Sequence, residues 1–246
     1  MMASEQKPAL EDLHPSLWRA SQLARGVTRC VDCGHSALRS QLPGGGWPMG
    51  SSVELLASKP GIGEVRLLAP ALDKVASRGI VLLQPPHIPQ AVAFASLGIS
   101  AAQLTWLTPS KTADALWAAE TVLNSGAVGA LVFWAPHIRN ESLRRLHLAS
   151  QSGDTIFFLV RPLATAQDSS PAPLRLSLEP ALDAIEVGVV KRRGPARDTK
   201  ILVPLAPPPA FTRRNAPQRH VPIPIPQPLV KSVGTWGNYT EQLAEG

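Results

Sequence analysis

Residues 42–68 read LPGGGWPMGSSVELLASKPGIGEVRLL, and three local signals follow one another there. Gly44, Gly45 and Gly46 lead through Trp47-Pro48-Met49-Gly50 as a turn, and Val53, Leu55 and Leu56 form a short apolar strand. The small residues Ser58-Lys59-Pro60-Gly61-Ile62-Gly63 then make a tight loop before a helix. Strand, tight loop, helix is the layout in which backbone N–H groups and a helix N-terminus cradle a phosphate. A working loop of this kind reads G-x-x-x-x-G-K-[ST], with the lysine on the terminal phosphates and the hydroxyl on magnesium. With Gly63 as the second glycine, the first falls on Ser58, the lysine on Glu64 and the hydroxyl on Val65. A carboxylate repels a triphosphate, and valine has no atom to offer a metal. Ser58, Gly61, Gly63, Glu64 and Val65 are therefore expected to form a degenerate loop that holds no cofactor.

The pattern after the loop alternates. Leu67, Leu68, Ala71, Leu72 and Val75 sit at helical spacing, and Gly79 marks the stop. Ile80–Leu83 is a continuous apolar run of the kind buried on both faces of a parallel sheet. A short helix over 89–97, a strand at Leu104–Leu107 and a helix over 111–124 follow. Ala127–Trp134 is the most apolar run and is expected to be the central strand. Asn140 is placed to cap a helix over 140–151, and Thr155–Val160 is the next strand. A polar loop at 164–173 leads to strands near 174–178, 184–192 and 199–203, the last two joined at Arg192-Arg193-Gly194-Pro195. Such alternation predicts an α/β fold with right-handed crossovers, a mostly parallel sheet flanked by helices, and a closing antiparallel hairpin at one edge.

The ends read differently. Residues 1–40 are expected to be a helical arm and connector, with Leu17, Trp18 and Leu23 on one face for packing or for a partner. Cys30 and Cys33 form a lone C-x-x-C near His35, without the second pair that zinc requires, and read as incidental thiols. From Pro204 to Gly246 the chain is proline-spaced and basic. Residues 191–246 hold nine Lys+Arg against three Asp+Glu and supply the whole net charge of +6. The tail, an extended partner ligand or plain disorder, displays Arg213, Arg214, Trp236 and Tyr239. Phosphate-directed DNA contact, if made, falls to the Arg192/Arg193 hairpin or to this tail. No apolar run approaches the roughly 20 residues of a membrane span, and the polar N-terminus is unlike a secretory signal, so a cytoplasmic location is expected.

Residues 42–135 resemble the ATP-binding core of the RecA recombinase family, chiefly through LPGGGWPMGSSVELL and through Ser125-Gly126-Ala127-Val128 before the fourth strand. The resemblance places the family's phosphate lysine on Glu64, its magnesium hydroxyl on Val65, its catalytic glutamate on Pro86 and its Walker B aspartate on Trp134. All four are replaced, which implies a domain (residues 41–203) that does not hydrolyse ATP. Among RecA-like proteins with such losses, the chain is most similar to the ImuA family, through Leu13-His14-Pro15-Ser16-Leu17-Trp18-Arg19, the LPGGGWPMG turn and the basic tail at 204–246. That resemblance implies a non-catalytic accessory of error-prone translesion synthesis in the SOS DNA-damage response. Its partners would be an ImuB-like Y-family polymerase homologue, an error-prone polymerase alpha subunit and RecA. The alternatives are a SulA-like division inhibitor that binds FtsZ, and a residual NTPase.

Overall fold

A computed structural model describes residues 29–192 and 200–205. An eight-stranded sheet organises them, built from β3 (Ser51–Ala57), β4 (Ile80–Leu83), β5 (Leu104–Leu107), β6 (Ala130–Trp134), β7 (Ile156–Pro162), β8 (Leu174–Ala181), β9 (Ala184–Lys191) and β10 (Lys200–Pro204). The spatial order is β10-β9-β8-β3-β7-β6-β4-β5. The pairs from β8 across to β5 are all parallel, and β9 is antiparallel to both of its neighbours. β9 alone therefore runs against the rest. A second, two-stranded antiparallel sheet pairs β1 (Cys30–Asp32) with β2 (Gly46–Pro48).

Alternation along each strand splits the apolar residues into two cores. Val53, Leu55, Ala130, Val132, Ile156 and Phe158 face the helix α2 (Glu64–Val75) and the N-terminal segment, which includes the short helix α1 (Ser36–Arg39). Leu131, Phe133, Phe157 and Leu159 face α4 (Thr112–Ser125) and α5 (Asn140–Ser150). The five-residue helix α3 (Ala91–Ala95) adds Phe94 to the first core. Trp47 anchors that core edge-on to Phe158, with ring centroids 5.3 Å apart. The result is a sheet between two helical layers.

Several expectations change. β6 is not central: β3 and β7 hold the middle and β6 lies one place further out. Apolarity reports burial on both faces, which every inner strand of such a sheet shares, and so cannot rank them. Asn140 is the first helical residue of α5, and Arg139 takes the cap position with no side-chain bond. The segment 164–173 begins as a 3-10 turn, Leu163–Gln167, packed on the sheet. Cys30 lies in a paired strand and Cys33 is fully buried, so the fold reaches back to the C-x-x-C. It also reaches forward: Leu205, beyond the expected boundary at 203, is buried against the first core. The proposed helix over 9–25 lies outside the described residues.

Candidate functional site

β3 delivers the chain to the loop Ser58–Gly63 at the C-terminal edge of the parallel strands, and α2 leaves from Glu64. The Ser58 N–H donates to the Leu178 carbonyl at 3.0 Å, tying the start of the loop to β8. Gly61 (φ 77°) and Gly63 (φ 115°) take left-handed conformations that β-carbons resist. A β-carbon on Gly63 would also come within 2.7 Å of the Leu205 side chain.

Glu64 turns its carboxylate back into the loop. Oε1 accepts the Gly61 N–H at 3.0 Å, and Oε2 accepts the Gly63 N–H at 3.2 Å. Trp134, arriving on β6, donates its indole N–H to Oε1 at 3.2 Å. Glu64 is only 2% exposed, and all three donors are neutral. Successive backbone N–H groups at the start of a helix are a nest for an anion. Here the anion belongs to the chain. Glu64 and Trp134 thus meet each other, which their separation of 70 residues does not announce.

A cavity of about 280 Å³ opens beside this knot. Leu82, Pro85, Ile88, Phe94, Leu97 and Trp134 line it. Val65 is half-buried against the first core, Pro86 is exposed at the rim, and the His87 ring approaches Gly61 so closely that a β-carbon there would meet its Nε2 at 3.1 Å. Its wall is mostly hydrocarbon. Trp134 lines the cavity and closes the loop from below.

A second polar knot lies on the opposite face of β3. Glu54 is 1% exposed in the middle of that strand, and the Arg175 Nε donates to it at 2.9 Å. The Arg161 Nη1 lies 3.6 Å away, and the Ser170 hydroxyl also donates to Glu54. Arg175 spends its remaining donors on the carbonyls of Thr165, Ala166 and Asp168. The 163–173 segment thus wraps a buried guanidinium. This knot escaped the sequence reading, although single charges inside the apolar runs SSVELLA, IFFLVRP and LRLSL were its signal.

The residues suggested for partner or DNA contact fare unevenly. Arg192 donates to the Gln41 carbonyl at 2.8 Å and so ties the closing hairpin to the N-terminal segment. Arg193, Arg213, Arg214, Trp236 and Tyr239 lie outside the described residues. Burial pushes both the Cys30 and Cys33 thiols above the usual cysteine value. No cluster of His, Cys, Asp and Glu among the described residues could hold a metal ion. No helix among them is long and apolar enough to cross a membrane.

Fold and site together define a class: an α/β domain with a mostly parallel sheet, in which the loop between β3 and α2 is held by its own glutamate. No protein-family model matches the chain, and a search of curated proteins finds no match.

Proposed function

We propose that the chain is a RecA-like scaffold without nucleotide chemistry, working in error-prone translesion DNA synthesis during the bacterial SOS response. One observation carries the non-catalytic part: the Glu64 carboxylate sits where a phosphate would, held by Gly61, Gly63 and the Trp134 indole. With Glu64, Val65, Pro86 and Trp134 at the four positions, nothing there neutralises phosphate charge, holds magnesium or orients a water. The similarity of the N-terminal arm, the LPGGGWPMG turn and the basic tail to the ImuA family supports the pathway. The protein then acts in the cytoplasm by contact with an ImuB-like polymerase homologue, an error-prone polymerase alpha subunit and RecA. Affinity capture of the full chain after DNA damage tests this reading. Recovery of those polymerases is expected, with loss on removing 206–246, and recovery of FtsZ in their place would replace it with the division-inhibitor reading. Titration with labelled ATP and magnesium is expected to give no saturable binding.

A further inference from the structure

We propose that the apolar cavity beside the 58–63 loop is a docking site for a short proline-rich segment ending in an aromatic ring. Its occupant is the chain's own Ala206-Pro207-Pro208-Pro209-Ala210-Phe211, which lies outside the described residues. The cavity offers hydrocarbon and two aromatic side chains, Phe94 and Trp134, and Ile88 on its wall is 65% exposed. Proline-rich segments suit aromatic-lined surfaces of this kind, because proline pre-sets an extended backbone that loses little freedom on binding. Three successive prolines also bring no N–H groups, which a hydrocarbon wall could not satisfy. An ordinary peptide would bring one at each residue.

The end of the closing hairpin delivers the segment to the cavity. Leu205 is buried, and a β-carbon on Gly63 would come within 2.7 Å of its side chain. Its carbonyl accepts the Arg66 Nη2 at 2.7 Å, and its N–H donates to the Asp183 carbonyl. Gly63 and Arg66 both line the cavity, so packing and hydrogen bonds fix Leu205 at the rim. The six residues that follow carry no charge, and Phe211 is the one large apolar side chain among them. In a polyproline conformation they span roughly 19 Å, at about 3.1 Å per residue. That is enough to cross a cavity of about 280 Å³. A segment tethered at the rim competes at an effective concentration on the order of millimolar, without loss of translational freedom. Docking closes the cavity to other proline-rich ligands and holds the start of the tail on the domain. The inference concerns the chain alone and holds whichever partners it meets.

The test uses the full-length chain, with Phe211→Asp and Phe211→Ala in the segment and Ala93→Glu on the exposed wall of the cavity. The Trp134 indole N–H resonance, identified with Trp134→Phe, is expected to move in both Phe211 variants. Phe211→Asp and Ala93→Glu are each expected to lower Tm by roughly 2–4 °C, and the double variant by no more than either alone. A synthetic peptide of residues 206–212 is expected to bind Phe211→Asp saturably and to return the Trp134 resonance toward its wild-type position. Its binding to wild type is expected to be at least tenfold weaker, because the tethered segment competes. A Trp134 resonance that stays still in both Phe211 variants overturns the inference. So do additive losses in Tm, no peptide binding to Phe211→Asp, or equal affinity for the variant and wild type. A wild-type resonance that moves toward the Phe211→Asp position on dilution, with a dimer in sedimentation, replaces the chain's own segment by that of a second copy.

Discussion

The two buried glutamates of the β3–α2 unit solve one problem in opposite ways. Glu54 lies within β3 between two arginines, a cluster in which Arg161 and Arg175 answer the charge. Glu64 lies ten residues on and meets only neutral N–H donors at the head of a helix. A carboxylate can leave water if a full opposite charge goes with it, or if oriented dipoles replace the water. The first solution welds strands together, since Glu54, Arg161 and Arg175 belong to β3, β7 and β8. The second fixes a loop. The difference separates a knot that joins three strands from one that holds a single loop against β6.

The strongest way to break this contrast is to remove Glu54. Glu54→Ala leaves two buried guanidiniums without the carboxylate that faces both and is expected to cost about 3–5 kcal/mol in urea unfolding. Replacing Glu54, Arg161 and Arg175 together by apolar residues of similar volume should recover most of that loss, because the desolvation cost disappears with the charges. A triple variant as unstable as the single one would mean that the knot is itself a net source of stability.

Glu64→Ala is expected to cost less, about 2–3 kcal/mol, since it strands neutral donors near a loop that water can reach. Loss greater than that of Glu54→Ala would reverse the ranking of the two knots. Trp134→Phe keeps most of the packing and removes one charge-assisted bond, with an expected loss of about 1 kcal/mol by the same measurement.

The smallest effect concerns Asp32 at the end of β1, where contrast with the buried pair is greatest. Lys74 at 2.8 Å, the Gly34 N–H and Arg39 hold its carboxyl down to about 2. Its pKa is lower folded than unfolded, so its contribution is complete above about pH 4 and is lost as the pH falls toward 2. Asp32→Asn should flatten that acid limb of a stability–pH profile slightly and leave neutral pH nearly unchanged. An unaltered limb would show the three contacts to be inconsequential in water.

Much of this was legible from residues alone. Helical spacing up to the stop at Gly79 and apolar runs at 52–57, 80–83, 127–134 and 155–160 are local signals, and the observed elements overlap them, with ends displaced by up to three residues. The loop, too, could be read: that Glu64 follows its last glycine is a fact of sequence. What Glu64 does could not be read. Nothing in GIGEV says that the carboxylate folds back onto its own glycines, and the indole that completes the nest arrives from β6. The 164–173 segment reads in sequence only as a polar loop, yet its backbone carbonyls hold the Arg175 guanidinium.

The sequence by itself determined the alternation of strands and helices, the place of the loop, and that Glu64 and Val65 follow its last glycine. These depend on periodicity and residue type within a few neighbours, where steric and hydrophobic preferences act. Only the tertiary structure decided strand order, the pairing of Glu54 with arginines 107 and 121 residues away, and the closing of the nest by Glu64 and Trp134. A buried charge has no local preference that reveals its partner. It is stable only where the whole fold gathers the donors to replace the water it has lost.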